Sequence, residues 1–265
     1  MPSTYAHYRF GCEVYCHLPE EVSARISKYR TLYLTGLHGP DLMFYYRPLC
    51  ANPVNQIGYQ LHDWTGRAFI ERGARVVKES SSYGGAWAYL CGVVCHFTLD
   101  SLCHPYVEEK IRRSHVTHTE IEGAFDRALM VHDGINPISH RPADHIIPSK
   151  ESAEIIAPFY APATVEQVYQ AMGSMIKNCN LLTAPSAGKR RLVRAILKLS
   201  GNYPEMHGMM ITRERDPQFS DSDRELYRLY RKGIREAPAM IEEMTEHLER
   251  GRRLGKRFDH TFGVK

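Results

Sequence analysis

The chain has 265 residues, of which 43% are hydrophobic, with seven cysteines and a formal net charge of +4. This length can bury a substantial core, and the composition is typical of a globular protein. Because the charge is small and interspersed, it argues against a dedicated nucleic-acid binder. The odd number of cysteines and the lack of a CxxC pair argue against a disulfide framework.

Apolar spacing along the chain predicts helices joined by loops, and no stretch alternates as a strand would. We therefore expect an all-α fold. A Gly/Pro loop at 36–49 carries His38 and Asp41, and a second loop, rich in Pro, Gly and His, covers 133–162. The predicted helices span 20–34, 55–79, 85–104, a segment from Thr117, 164–182, 187–200, and two segments within 221–254 separated near Pro238.

The start of the chain, MPSTYAHYRFG, lacks the basic and apolar regions of a signal peptide. No stretch approaches the length that is needed to span a membrane. We therefore expect a cytoplasmic protein.

The segment 85–122 carries five side chains that can bind metal. His96, Asp100 and His104 follow one another at intervals of four, so they share one face of a helix. Pro105 disfavours the helical conformation of the residue before it, which predicts that this helix ends at His104.

A second helix is predicted to begin after Thr117, since Glu120 stands three residues later and completes a capping box. That start places His118 and Glu122 one turn apart on one face. A single histidine on an apolar face is more often a hydrogen-bonded core residue. A carboxylate such as Asp100 in an apolar run is costly unless it is paired or bound to metal, so the combined pattern favours a metal site.

Other candidate residues carry weaker signals. Cys91, Cys95 and Cys103 lie beside the candidate ligands, and we interpret them as small buried apolar residues. His140 and His145 have no helically spaced partner and are not expected to be ligands.

The predicted helix 187–200 is the most basic element of the chain. It could contact an anionic membrane surface, although a solvated face over an apolar packing stripe is the favoured interpretation. Its cationic residues are Lys189, Arg190, Arg191, Arg194 and Lys198.

These motifs resemble the zinc-dependent phospholipase C family, whose core is shared by P1-type nucleases. Members present His-x-x-x-Asp, a further His, and then His-x-x-x-Glu, after an upstream His, a loop Asp and another His. The matching residues here are His7, Asp41, His62, His96, Asp100, His104, His118 and Glu122. The resemblance implies a helical bundle with two or three zinc ions in a cleft.

Carried over by motif, the resemblance assigns ligands to each ion. One zinc would be held by Asp41, His62, His96 and Asp100, and a second by His104, His118 and Glu122. Asp100 would bridge to a third zinc that His7 also binds. Asp41 would be the catalytic residue, as general base or as the residue that orients the attacking water.

The chain departs from the secreted members of the family at two positions. Those members use an N-terminal Trp as a ligand to the third zinc, whereas this chain begins Met1-Pro2-Ser3, which leaves the Pro2 amine as the alternative. Where they place an aromatic residue that cages choline, Leu42 stands here. Tyr45 or Tyr46 could substitute for it, but selectivity for choline lipids is not expected.

Three functions follow from this reading. The first is a zinc-dependent phosphodiester hydrolase of phospholipase C type, acting on a phospholipid, with peripheral membrane contact, or on a soluble diester. The second is a P1-like nuclease or nucleotidase. The third is a non-catalytic protein in which zinc ions hold the helices together. We expect one all-α domain over 1–265, divided into a metal-binding core at 1–132, a loop or lid at 133–162, and supporting helices at 163–265.

Overall fold

The computed structural model describes residues 4–263. Within this range the chain is all-α, as predicted, and apart from one isolated bridge between Thr65 and Thr261 it contains no β-structure. Short 3₁₀ turns connect several of the helices, and the turn at Gly39–Tyr45 contributes to the site below. The helices are α1 Thr4–Cys16, α2 Glu20–Ser27, α3 Arg30–Gly36, α4 Pro53–His62, α5 Gly66–Glu79, α6 Tyr83–Ser114, α7 His118–His132, α8 Lys150–Ile156, α9 Val165–Leu182, α10 Ala187–Leu199, α11 Tyr203–Met206 and α12 Ser220–Arg250.

The long helix α6 is the centre of the fold. All its residues from Gly85 to Asp100 are buried, as expected for a helix that is apolar on every side. It packs against α1, α3, α5 and α12. Where α3 crosses it, a Cβ on Gly92 would lie 2.3 Å from the Tyr33 carbonyl oxygen, so only glycine permits this close approach.

By length and composition, α6 could also span a membrane, contrary to the sequence-based expectation that no stretch is long enough. Of its most apolar window, however, 83% is buried inside the protein.

The prediction that the central helix ends at His104 is wrong, because α6 continues through Pro105 to Ser114. Pro105 is exposed, and the carbonyl that loses its hydrogen-bond donor belongs to Ser101, which is only half-buried. Beyond the proline, Val107 is 1% exposed. Packing on the C-terminal side of Pro105 therefore compensates for one lost backbone hydrogen bond.

The predicted break near Pro238 is also wrong, because α12 is one helix of 31 residues that includes this proline. A proline inside a helix costs about 3 kcal/mol. Its neighbours Ile234, Ala237, Met240 and Ile241 are all buried in one continuous stripe. Burial of that stripe exceeds the local cost, so the helix does not end there.

Two predicted helices are each divided in two. The helix predicted over 20–34 breaks at Tyr29, whose backbone is non-helical, so α2 buries only Ile26 while α3 buries its last five residues. The helix predicted over 55–79 breaks before Thr65, whose side chain accepts a hydrogen bond from Ala68 N and caps α5. This second break makes His62 the last residue of α4.

Other predictions agree with the structure. The capping boxes at Thr117 with Glu120 and at Thr164 with Gln167 are present, and α10 has nearly its predicted bounds. The first stretch of the chain, for which no helix was predicted, forms α1. Residues 133–149 contain no helix, while α8 occupies part of the predicted loop. The division of the domain into core, lid and supporting helices stays a prediction.

Candidate metal centre

One face of α6 presents three of the predicted ligands. His96 and Asp100 are one turn apart, and His96 Nε2 lies 3.0 Å from Asp100 Oδ2. One turn further, His104 Nε2 lies 3.8 Å from Asp100 Oδ1. The relative exposure of each of these side chains is at most 8%. The i, i+4 spacing read from the sequence therefore places a carboxylate between two imidazoles inside the protein.

Asp41 and His62 approach this face from the other side. Asp41 lies in the 3₁₀ turn and His62 ends α4, and these two elements pack against each other. His62 Nε2 lies 3.0 Å from Asp41 Oδ1, and His96 Nε2 lies 3.8 Å from Asp41 Oδ2. We call Asp41, His62 and His96 the Asp41 group, and Asp100 Oδ2 lies 3.9 Å from His62 Nε2 beside it.

A second set of donors forms where α7 begins. The Thr117 cap fixes the first turn of α7, which places His118 Nε2 2.9 Å from Glu122 Oε1. The same oxygen lies 3.7 Å from His104 Nε2 on α6. We call His104, His118 and Glu122 the Glu122 group.

The third set includes α1. His7 Nε2 lies 3.1 Å from Asp100 Oδ1, and its ring stacks on His96 with centroids 4.4 Å apart. Asp126 on α7 holds the start of α1 by accepting hydrogen bonds from Tyr5 N at 3.0 Å and Ala6 N at 2.8 Å. His7, His96 and Asp100 form the His7 group.

The eight predicted ligands thus lie in three groups. The Asp41 and His7 groups share His96, and the Glu122 group adjoins them where His104 Nε2 lies 3.8 Å from Asp100 Oδ1. In each group the ligand atoms lie within 4.8 Å of one another. Two atoms that are both about 2.1 Å from a tetrahedral zinc ion lie about 3.4 Å apart. The distances of 2.9 to 3.8 Å within the groups bracket this value, and the imidazole and carboxylate donors suit zinc. The arrangement of these residues therefore fits zinc.

Backbone carbonyls orient three of the imidazoles. His62 Nδ1 lies 2.7 Å from the Gly58 oxygen, His96 Nδ1 3.3 Å from the Leu37 oxygen, and His104 Nδ1 2.5 Å from the Phe262 oxygen. A carbonyl accepts only from a protonated nitrogen, so Nδ1 carries the hydrogen. In the neutral tautomer Nε2 then presents its lone pair towards the groups, as metal-binding histidines do.

Several buried polar atoms in the groups make no hydrogen bond. Leaving such atoms unpaired is costly, and a bound cation would supply the partner. They are both carboxylate oxygens of Asp41, His96 Nε2, Asp100 Oδ2 and Glu122 Oε2.

The electrostatics of the centre are dominated by buried carboxylates. Burial by itself would raise the pKa of Asp100, but His96, His104 and His7 hold it well below its usual range. Burial lowers the pKa of His104, yet Asp100 and Glu122 together raise it to about 9. The two shifts show that this interior attracts positive charge. A cation that binds through His104 must also displace its proton.

Sequence reasoning missed three parts of the centre. Gly39 has a φ of +45°, a backbone conformation that favours glycine. A Cβ at this position would also lie 2.5 Å from the His96 ring, so there are two independent reasons for a glycine here. Asp126 follows Glu122 at a spacing of four, a signal that could have identified it. The Phe262 carbonyl is far from His104 in the sequence, and no pattern connects the two.

The cysteines near the ligands have the predicted character. Cys91 and Cys95 are fully buried, and Cys103 is 9% exposed. All seven cysteines of the chain are free, in agreement with the expectation of no disulfide framework.

His145 is not among the grouped ligands. It lies between Tyr8, on which it stacks at 4.2 Å, and His38, whose Nε2 is 2.7 Å from His145 Nε2. Burial lowers the pKa of both histidines, that of His145 to about 3. The pair is therefore neutral. It connects the 133–149 segment to His38, which directly precedes the 3₁₀ turn that carries Asp41.

A cleft with an empty volume of about 1090 Å³ opens beside the Glu122 group. His118 lines it, together with Phe44 and Tyr59, whose ring centroids are 4.5 Å apart. The predicted aromatic substitutes, Tyr45 and Tyr46, are instead buried, and Tyr45 contacts Cys179. The aromatic wall therefore comes from a neighbouring residue of the same turn and from α4.

The sequence comparisons agree with this geometry. A family described as zinc dependent phospholipase C matches residues 6–178, a range that contains all eight grouped side chains. Comparisons with curated proteins and with solved structures give no significant match. Pro2, whose amine was the alternative ligand expected for a third zinc, lies outside the described residues. The match covers more than half of the chain, so the chain belongs to the zinc dependent phospholipase C family.

Proposed function

We propose that this protein is a zinc-dependent phosphodiester hydrolase of phospholipase C type. The observation that carries the proposal is the contact between the buried donor groups and an open cleft, with His118 belonging to both. Family membership supports the same reaction class. The products would be an alcohol, such as diacylglycerol, and a phosphomonoester.

The Asp41, Glu122 and His7 groups would hold two or three zinc ions. When bound, zinc polarises a phosphoryl oxygen and lowers the pKa of a water molecule. The Asp41 group and Asp100 together provide four donors, whereas the Glu122 group provides three. A set of three protein ligands is typical of a catalytic site, since it leaves one coordination position for substrate or water.

The chain's own residues have distinct roles in this scheme. Asp41 is the proposed general base, because one of its oxygens suffices as a ligand in the Asp41 group and the other, which makes no hydrogen bond, can accept a proton. Phe44 and Tyr59 offer an apolar wall against which the alcohol part of the diester can pack. Burial of Asp41, His96 and Asp100 strengthens the electrostatic interactions among the donors, because the surroundings screen charge less than water does.

A purely structural role for the metal is disfavoured by its donors. Structural zinc sites are usually closed and rich in cysteine. Here Cys91, Cys95 and Cys103 lie on the same helix but belong to none of the three groups.

A P1-like nuclease or nucleotidase remains the second candidate. Phe44 and Tyr59 line the cleft, and aromatic rings of this kind stack on nucleobases. The modest net charge of +4 provides little general attraction to nucleic acid, so a short substrate fits better than a long one.

The test is hydrolysis by zinc-loaded protein of three diesters: bis(p-nitrophenyl) phosphate, a short-chain phosphatidylcholine, and a dinucleotide. We expect the chromogenic diester to be cleaved, and Glu122→Gln to reduce the rate by roughly 100-fold or more. Glu71→Gln, at an exposed position of α5, is the control. Cleavage of the dinucleotide but not the lipid would select the nuclease. A fully loaded protein that cleaves none of the three would overturn the proposal.

A further inference from the structure

A second pocket lies between α7 and α10, away from the metal centre. Its cavity volume is about 120 Å³, and none of the eight grouped ligands lines it. We call it the α7–α10 pocket. Its walls include Ala124, Arg127, Arg190, Arg194, Met210 and Phe219.

Arg127, Arg190 and Arg194 of this pocket form no ion pair with a carboxylate among the described residues, and Arg127 donates to the carbonyl oxygens of Thr212 and Arg213. Arg190 donates to the carbonyl oxygens of Ala184 at 3.2 Å and Met210 at 3.3 Å, and neither it nor Arg194 forms an ion pair within the described range 4–263. Burial, followed by the nearby charges of Arg194 and Arg213, lowers the pKa of Arg190. The guanidinium groups therefore repel one another without a compensating anion from the chain.

The carboxylates around the pocket are engaged elsewhere. Glu120 accepts from Thr117 N at 2.8 Å and contacts His207 Nε2 at 3.1 Å. Asp216 accepts from the backbone and side-chain amides of Gln218.

Asp223, the third carboxylate, pairs with Arg215 at 3.3 Å, and burial raises its pKa. None of the three carboxylates thus neutralises Arg190 or Arg194.

The remaining surface of the pocket combines apolar and aromatic residues with Arg127, Thr212 and Arg215. Ala124, Met210 and Phe219 contribute apolar area, and Tyr203 stacks on His207 with centroids 4.9 Å apart. Such a surface suits an organic group larger than a simple inorganic ion.

We propose that the α7–α10 pocket binds a phosphate-bearing anion with a small apolar or aromatic substituent. Arg190 and Arg194 bind the phosphate, since guanidinium groups recognise phosphate through paired hydrogen bonds. The same chemistry is offered by a free phosphomonoester and by the headgroup of an anionic phospholipid. This site is separate from the metal centre, and the inference does not depend on the proposed hydrolase activity.

Calorimetric titration of the zinc-loaded protein with phenyl phosphate tests the site. The variant Arg190→Gln/Arg194→Gln should bind phenyl phosphate about tenfold more weakly or worse, because it loses the charge-assisted hydrogen bonds from both guanidinium groups to the phosphate. The control Arg191→Gln/Arg224→Gln removes the same charge at exposed positions that do not line the pocket. Phosphate that binds at the zinc centre persists in both variants, so the difference between them isolates the α7–α10 pocket.

Co-sedimentation with phosphatidylcholine vesicles that contain phosphatidic acid identifies the source of the phosphate. Pelleting that needs Arg190 and Arg194 assigns the site to lipid headgroups, whereas phenyl phosphate binding without pelleting assigns it to free esters. Equal behaviour of the wild type and both double variants in both assays would overturn the proposal. Unchanged hydrolysis of bis(p-nitrophenyl) phosphate, or an unchanged circular dichroism spectrum if no substrate is cleaved, shows that the variant is folded.

Discussion

Asp100 Oδ1 lies 3.1 Å from His7 Nε2, so the middle of the longest helix contacts the first helix of the chain. The other oxygen of Asp100 lies 3.0 Å from His96 Nε2. One carboxylate therefore connects the His7 group to the donors of the Asp41 group. The centre is a single connected unit and not three separate sites.

Replacing Asp100 by Asn should affect more than one metal ion. The amide keeps the size of the side chain but removes the negative charge that balances His96, His104 and His7. We expect the zinc content to fall by more than one ion per chain and hydrolysis to fall by roughly 100-fold or more. Metal analysis after gel filtration measures the first effect. Asp63→Asn, at an exposed position next to His62, is the control, and loss of only one ion would argue against a bridging role.

A methyl group at Gly39 should disturb the Asp41 group. In Gly39→Ala the new Cβ would meet the His96 ring, in addition to the cost of about 1–2 kcal/mol for a left-handed alanine. Gly134→Ala pays a similar backbone cost at a φ of +72° but meets no atom within 4 Å. Both variants should lose stability in urea denaturation, but only Gly39→Ala should lose zinc affinity. Equal affinities in the two variants would show that close packing on His96 is unimportant.

Asp126 should act on the metal centre through α1. In Asp126→Asn the amide can accept only one of the hydrogen bonds from Tyr5 N and Ala6 N, and it places a donor opposite the other. The expected loss is about 1–3 kcal/mol in the free energy of unfolding. Zinc titration should show weaker binding at the His7 group and little change at the Glu122 group. Asp144→Asn, which is exposed, serves as the control.

The pair formed by His38 and His145 predicts a specific dependence of stability on pH. The folded pKa of His145 is about 3, well below the ordinary value of 6.5, because burial disfavours its charged form. Between these values the unfolded chain binds a proton that the folded chain does not, so stability falls as pH falls from about 6.5 towards 3.

Urea denaturation of chelator-treated protein between pH 6.5 and 5 measures this dependence. His145→Gln should reduce the slope of stability against pH by up to one proton, which corresponds to about 1.4 kcal/mol per pH unit. His260→Gln, at an exposed site, should leave the slope unchanged. An identical slope in His145→Gln would contradict the lowered pKa of His145.

Five of the eight ligands could be predicted from the residues alone because they are local in the sequence, whereas His7, Asp41 and His62 were assigned only through the family resemblance. Spacings of four on α6 and α7, and the Thr117 cap, depend only on helix geometry. The continuation of helices through Pro105 and Pro238 could not be predicted, since it depends on packing between distant segments that outweighs a local cost. The Phe262 carbonyl that orients His104 is a backbone group, which any residue could supply, so the sequence carries no signal for it.

The aromatic wall of the cleft illustrates the same limit. Residues in one short turn differ in which side they face, and the sequence could not show that Phe44 faces the cleft while Tyr45 is buried. The partner of Phe44, Tyr59, comes from α4, and their contact depends on how the turn and that helix pack.

Anomalous diffraction at the zinc edge, from crystals grown with zinc, tests most directly whether the Asp41, Glu122 and His7 groups form a zinc centre. We expect peaks inside the Asp41 and Glu122 groups, at about 2.0–2.2 Å from their nitrogen and oxygen donors. A third peak between His7 and Asp100 would raise the count from two ions to three. Crystals of zinc-loaded protein that show zinc only at other positions, or none, would contradict the assignment.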